Sequence, residues 1–229
     1  MDSPRRTSFI VGMLFILTFV TAIAGFILYD PVLNDANYIT GAGSDERVAL
    51  GALLEMFLIV TNIGTAVFLF PVLKRQDEAL SLSYVSARLV ECTFIAIGIV
   101  ALLAILTLRQ DASGEEATLI TAGASLVAVH DRTFLLGPGF IVGIGNGLIL
   151  GYLMYTSGLV PRGATYLGLI GGPLVCLAGI LVLFDVIEPR SQIQGIATIP
   201  EILWEAFLGI YLTFKGFRPS PILGDVRPA

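Results

Sequence analysis

Six residues whose side chains could hold a proton or a small polar ligand lie inside long apolar stretches of the sequence. Carboxylates accept hydrogen bonds and pair with cations, an arginine pairs with anions, and an amide both donates and accepts. Such groups are costly at membrane depth, so they are candidate functional residues wherever an apolar stretch crosses a bilayer. The six candidates are Glu55, Asn62, Arg88, Glu91, Asn146 and Glu205.

The spacing of these candidates predicts which of them share a helix face. Glu55 and Asn62 are seven residues apart, which places both on one face. Arg88 and Glu91 are three residues apart, a spacing that allows an ion pair. The hypothesis is an outward-facing polar pocket that begins at Glu55 and Glu205 and extends toward the cytoplasm through the other four candidates.

A structural role for the same residues remains open. Arg88 and Glu91 could neutralise each other and hold two helices in register. Asn62 and Asn146 could form hydrogen bonds between helices that only strengthen packing. Glu205, like Glu55, has no basic residue nearby in the sequence, so each needs a partner from another helix.

Three further polar residues are weaker candidates. His130 and Arg132 lie just before the fourth apolar stretch, on the same side as Glu55, and a single histidine at a surface is usually only a polar surface residue. Glu201 lies one turn before Glu205. Because Thr198 and Glu201 have capping-box spacing, the pattern favours a structural role for Glu201 at a helix start.

Six apolar stretches must position these side chains. Each has nearly the twenty residues that a helix needs to cross a bilayer, and the chain has a mean hydropathy of +0.87 with 14% charged residues. The sequence therefore predicts an all-α, polytopic membrane helix bundle that forms one domain over residues 1–229. The predicted spans are residues 9–29, 48–73, 84–108, 134–160, 165–184 and 199–217.

Local signals refine these boundaries. Ser44 predicts an N-cap for the second helix, and Ser113 with Glu116 has capping-box spacing. The apolar stretch after Glu116 is too short to span, so a separate short helix at about 114–129 is expected at the outer face. The first stretch resembles a secretory signal with a cleavage site near residue 24, but its apolar character continues to residue 29, which favours a retained helix.

The distribution of basic residues predicts the orientation. Eight of them lie on the side of the termini and four on the opposite side, so the positive-inside rule places both termini in the cytoplasm. The expected location is the cell (inner) membrane. The eight are Arg5, Arg6, Lys74, Arg75, Arg162, Lys215, Arg218 and Arg227, and the four are Arg47, Arg109, Arg132 and Arg190.

Glycines recur every four residues in the fourth stretch. Small residues at this spacing lie along one side of a helix and let a second helix approach closely. This pattern predicts close helix packing, either within the bundle, with another membrane protein or with a second copy. The four positions are Gly139, Gly143, Gly147 and Gly151.

The sequence lacks the residues that several classes of activity require. The sequence has one histidine and two isolated cysteines, Cys92 and Cys176, so neither a metal site nor a cofactor is expected. It contains no P-loop for ATP and no serine nucleophile elbow. It also has no basic stripe, so nucleic acid is not an expected partner, whereas the lipid bilayer is.

Short motifs across most of the chain are similar to those of a known family. They lie at residues 68–74, 84–91, 136–138, 159–161, 167–174, 199–201 and 215–217. In these motifs the chain resembles a bacterial family of membrane proteins catalogued as domain of unknown function 4386. Asp185 departs from the glycine expected there. The resemblance implies a helical membrane fold and supports a role for Arg88, Glu91, Glu201 and Glu205, but it brings no established activity, substrate or cofactor.

Three functions are compatible with these patterns. The polar residues favour a module that binds or transports a proton or small ligand. The glycine faces are compatible with an interaction or regulatory subunit of a membrane complex. A membrane-embedded enzyme that modifies lipids would need paired carboxylates as acid and base, and it lacks any other catalytic motif.

Overall fold

The computed structural model describes residues 4–41, 43–111, 115–189 and 191–224. Their regular secondary structure is entirely helical, with no strand in these ranges. The α-helices are α1 Pro4–Asn34, α2 Asp45–Leu73, α3 Glu78–Asp111, α4 Glu116–Leu136, α5 Gly151–Ser157, α6 Arg162–Leu183 and α7 Gln192–Phe214. Two π-helical segments, Gly137–Ile141 and Gly143–Leu150, join α4 to α5, and a short 3-10 helix covers Pro221–Leu223.

Six helical segments of the described chain are long and apolar enough to cross a membrane. They are α1, α2, α3, the continuous segment Glu116–Ser157, α6 and α7. The predicted helix bundle with six spans is therefore confirmed, and the protein is a multi-pass membrane protein. The orientation of the termini remains a prediction.

The fourth span differs from its predicted form. The separate helix expected at about 114–129 is wrong, because Glu116–Ser157 runs as one helical segment of 42 residues. The polar residues from His130 to Thr133 lie between the two predicted helices, yet none is glycine or proline, so nothing in them ends a helix. A segment of this length extends well beyond a hydrocarbon core of about 30 Å.

Two other helices begin earlier than expected. α3 begins at Glu78 and α7 at Gln192, where Ser191 is the N-cap and accepts a hydrogen bond from the Gln194 amide. The capping box predicted for Thr198 and Glu201 is therefore wrong, because both lie inside α7. The predicted N-cap at Ser44 is confirmed by its bond from the Arg47 amide. Ser113, Arg190 and Arg227 lie outside the described residues.

The start of α1 and the end of α7 lie on one side of the bundle, which we call the terminal side. Arg5 donates hydrogen bonds to the carbonyls of Leu212 and Thr213 at the end of α7. The Arg218 amide donates to the Leu159 carbonyl at 2.8 Å. These contacts tie the start of α1, the end of α7 and the connection from α5 to α6 together. The opposite side holds the connections from α1 to α2, α3 to α4, and α6 to α7.

Two hydrophobic clusters form the interior. The terminal-side cluster includes Phe15, Leu69, Leu73, Leu150 and Leu208. The opposite-side cluster includes Tyr29, Val48, Leu58, Leu102 and Ile105. The buried polar residues of α2 and α3 lie between these two clusters in chain position, so they form a polar layer within an apolar bundle.

The glycines of the fourth span pack mainly against α6 of the same chain. A Cβ atom added at Gly143 would meet the Gly172 carbonyl oxygen at 2.6 Å, and one at Gly147 would meet the Gly172 Cα at 2.5 Å. Gly139 lies beside Gly179, and Gly151 lies against the Leu169 side chain. This side of the fourth span is therefore occupied within the chain.

Candidate ligand-binding cavity

Arg88 is the centre of a buried polar cluster between α2 and α3. Its Nη1 atom donates to Glu91 Oε2 at 2.7 Å, and its Nη2 atom donates to Asn62 Oδ1 at 3.1 Å. Asn62 in turn donates from Nδ2 to Glu91 Oε1 at 3.2 Å. The three side chains thus form a closed ring of hydrogen bonds, which fixes the two helices in register.

Glu205 of α7 and Asn146 of the fourth span extend this cluster. Glu205 Oε1 lies 3.6 Å from Arg88 Nη2 and accepts a short hydrogen bond from Asn146 Nδ2. The Tyr84 hydroxyl donates to Asn146 Oδ1 at 3.3 Å. The cluster therefore joins four of the six spans.

Asn146 lies in the second π-helical segment. π-helical turns are rare and occur often at functional sites. The Trp204 indole donates from Nε1 to the Asn146 carbonyl oxygen at 3.0 Å, so this backbone acceptor is satisfied from α7. Trp204 is the single tryptophan of the chain, and it is completely buried beside the cluster.

The members of the cluster lie at one depth. Arg88, Asn62, Asn146 and Glu205 lie nine to eleven residues from the terminal-side ends of their helices. At a rise of about 1.5 Å per residue this is about 14–17 Å, or half of a hydrocarbon core of about 30 Å. The predicted depths, with Arg88 nearer the cytoplasm and Glu205 nearer the outside, are wrong because α3 and α7 begin before their apolar stretches.

A cavity of ≈ 450 Å³ reaches this cluster from the opposite side. α1, α2, α3, the fourth span and α7 all contribute to its wall. The Glu205 carboxylate is 16% exposed, whereas the side chains of Glu91 and Arg88 are 5% and 1% exposed. Glu205 is therefore the ionisable group of the hydrogen-bonded cluster that faces the cavity most openly.

Glu201 is a second carboxyl group on the cavity wall. It is 2% exposed, and neither of its carboxyl oxygens has a hydrogen-bond partner among the described residues. Its Oε2 atom lies close to Gly147 and Gly171, where a larger residue would collide with it. A buried carboxyl group without a partner is costly, so this position calls for an explanation.

Three polar side chains line the other end of the cavity. Glu55, Tyr29 and His130 belong to its wall, and Glu55 is close enough to His130 to interact with it electrostatically. The Tyr29 and His130 rings pack edge to face with centroids 5.9 Å apart. The Tyr29 hydroxyl and His130 Nδ1 are both buried, the hydroxyl interacts with Glu55, and His130 Nδ1 lies 3.8 Å from Asp131 Oδ1.

With this geometry in place, comparison with known proteins adds one assignment. The family model described as Domain of unknown function (DUF4386) matches residues 10–216. The chain belongs to this family. The resemblance seen in the sequence motifs is thus confirmed. No curated protein and no solved structure matches the chain.

Membership of the DUF4386 family does not assign an activity to the chain, so its function must be inferred from the cavity. Five of the six main candidates from the sequence line the cavity. The sixth, Asn146, lies behind Glu205 and donates a hydrogen bond to it. Of the weaker candidates, His130 and Glu201 line the cavity. Arg132 is exposed and does not contribute to the wall.

Sequence reasoning missed several residues that complete this DUF4386 site. Tyr84 and Trp204 bind Asn146, and Thr18 donates to Thr61 at 3.0 Å beside Asn62. Tyr84 precedes Arg88 by one helical turn, so its position on the same face was a usable signal. Tyr29 gave no such signal, because an aromatic residue near the end of a span is usually an interfacial anchor.

Proposed function

We propose that the protein is a membrane-embedded binding module that takes a proton or a small ligand into the cavity between its helices. The observation that carries this proposal is the charge balance at the cavity floor. One guanidinium, Arg88, faces the carboxyl groups of Glu91, Glu201 and Glu205. A fully ionised floor would therefore hold two excess negative charges inside the bundle.

Such an excess is expensive in this environment. Removing an ion from water into a protein interior costs several kcal/mol, and a carboxylate without a partner recovers little of it. Protons or a positively charged ligand must supply the missing charge. A site whose net charge is neutralised only when a proton or cation binds is suited to binding that proton or cation.

The cavity extends from mid-depth toward the side opposite the terminal side. Polar residues lead from Tyr29 and His130 to the cluster at mid-depth, whereas the apolar cluster around Phe15, Leu69 and Leu208 lies between the polar cluster and the terminal side. If both termini are cytoplasmic, the cavity lies in the outer half of the bilayer. This arrangement supports a binding site rather than an open channel.

The alternative of an interaction or regulatory subunit has weaker support. Its main argument was the glycine face of the fourth span, and much of that face packs against α6 of the same chain. The polar residues converge on a cavity rather than forming isolated pairs, which also favours a binding site.

The experiment uses Trp204 as an internal reporter, with the proton as the probe. The protein is placed in lipid nanodiscs and the emission of Trp204 is recorded as a function of pH. We expect a transition that is lost or displaced in Glu205→Gln, because the altered side chain neighbours Asn146, which Trp204 binds. Glu46→Gln removes an exposed acid outside the cavity and should behave as the unaltered protein. Identical titrations of all three proteins would refute the proposal.

A further inference from the structure

The cavity opens toward the lipid between α1 and α7. On the terminal side these helices are in contact. Gly12 lies against Thr213, and a Cβ atom added at Gly209 would lie 3.2 Å from the Ile16 side chain. Beyond this contact, α1 and α7 both contribute side chains to the cavity wall, from Thr18 onward in α1. A gap whose floor is at mid-membrane therefore lies between the two helices, on the side of their contact away from the termini.

The edge of this gap is apolar and accessible. Ile23, Phe26, Phe134 and Ile202 all line the cavity, yet they are between 43% and 56% exposed. Side chains exposed at membrane depth face acyl chains rather than water. The gap is therefore a side entrance from the bilayer, with the Phe26 and Phe134 rings at one edge and their centroids 6.5 Å apart.

The floor of the gap selects the charge of an occupant. The two oxygens of Glu201 have no hydrogen-bond partner, and a carboxylate can only accept hydrogen bonds. Glu205 adds a carboxylate that is partly open to the cavity. Arg88 Nη1 and Nη2 face Glu91, Asn62 and Glu205, and its Nε is buried without a partner, so the positive charge of Arg88 is already paired with carboxylates and is not free for an anion. The carboxyl oxygens without partners therefore favour a cation that donates hydrogen bonds.

We infer that the ligand is a lipophilic amine: an ammonium head group held by Glu205 and Glu201, with an apolar body that lies along the wall and enters from the lipid. The inference rests on the proposed function and names its ligand class. A volume of ≈ 450 Å³ is within the range of pockets that hold molecules of this size. An ammonium group would also neutralise part of the excess negative charge at the floor.

The test compares four probes on the unaltered protein in nanodiscs by the emission of Trp204. Dodecylammonium, dodecanol and dodecanoate share a chain length and differ in charge, and ethylammonium has the charge without the chain. The three long-chain probes are compared at equal mole fraction in the lipid. We expect dodecylammonium to bind at least about tenfold more tightly than dodecanol and dodecanoate, as the loss of one charged hydrogen bond would produce. It should also bind more tightly than ethylammonium, which has no apolar chain to bury along the wall. Glu205→Gln should weaken dodecylammonium about tenfold, whereas Glu46→Gln should not.

Each other outcome overturns the inference. If dodecanol bound as tightly as dodecylammonium, the cavity would not recognise charge. If dodecanoate bound more tightly than dodecylammonium, Arg88 would be the group that selects the charge of the ligand. Equal binding of ethylammonium would remove the role of the apolar wall. If dodecylammonium fails while the pH titration still depends on Glu205, the ligand class is wrong and the binding site stands. If both responses are absent, the proposed function is wrong as well. The probe comparison needs no variant, so it remains decisive even if Glu205→Gln does not fold.

Discussion

Replacing Arg88 by methionine should destabilise the bundle strongly. The substitution keeps an unbranched side chain of similar length but removes the guanidinium that binds Glu91, Asn62 and Glu205. Glu91 would then be a buried carboxyl group with only Asn62 as a partner. Membrane proteins rarely tolerate such a change without a compensating proton or structural shift.

The contact geometry gives the expected size of the effect. Opposite charges 2.7 Å apart, as at Arg88 Nη1 and Glu91 Oε2, attract each other by about 6 kcal/mol at an effective dielectric constant of about 20. Part of this attraction is offset because the guanidinium no longer has to be desolvated. Breaking a buried pair by removing one partner costs about 3–5 kcal/mol, and we expect Arg88→Met to lower the free energy of unfolding by that amount.

The assay is unfolding in mixed micelles of dodecyl maltoside with increasing sodium dodecyl sulfate, followed by the emission of Trp204. The double variant Arg88→Met with Glu91→Met should recover at least half of the loss, because apolar residues often replace a buried pair with little cost. Arg132→Met removes an exposed arginine outside the cavity and should change stability by no more than about 0.5 kcal/mol. A loss below about 1 kcal/mol for Arg88→Met would show that the pair behaves as a solvent-exposed one, and the picture of a buried cluster would be wrong.

Two further predictions concern packing and pH. Gly172→Ala should cost about 1–3 kcal/mol in the same assay, because its new Cβ would collide with the Gly143 carbonyl oxygen. Gly195→Ala, at an open position of α7, should stabilise by about 0.5–1 kcal/mol, and the reverse order would contradict the described contact between the fourth span and α6. Burial raises the pKa of Tyr38, in the connection between α1 and α2. Its stabilising contribution is therefore complete below the usual tyrosine pKa of about 10 and is lost as the pH rises through the higher folded-state value. The melting temperature of Tyr38→Phe should consequently decline less steeply between about pH 8 and 12 than that of the unaltered protein, and parallel profiles would rule this out.

The number of spans was predictable because the hydrocarbon core imposes a length on every apolar helix. The helix ends were less so, since an apolar count stops at the first polar residues. In α3, residues from Glu78 to Ser83 are helical although the apolar stretch begins at Tyr84. The same limitation divided the fourth span into two predicted helices at His130, where the helix continues.

Within the candidate site, the sequence indicated which residues are costly but not how they meet. The pairing of Arg88 with Glu91 follows from their spacing on one helix. The contact of Glu205 with Asn146 joins residues 59 positions apart, and no local pattern predicts it. It also depends on π-helical turns, whose geometry is not encoded in a hydrophobic period. The buried position of Glu201 was missed because a local capping pattern offered a sufficient explanation for an acid at that place.

The backbone contact between α1 and α7 has a mechanical consequence. Where Gly12 and Gly209 bring the two helices together, their backbones are close, so this crossing is the point about which a change in crossing angle would turn. Ile202 lies seven residues from Gly209, a lever arm of about 10 Å at about 1.5 Å per residue. A tilt of about 10° around this fulcrum would move Ile202 by roughly 2 Å and so widen the gap between the two helices.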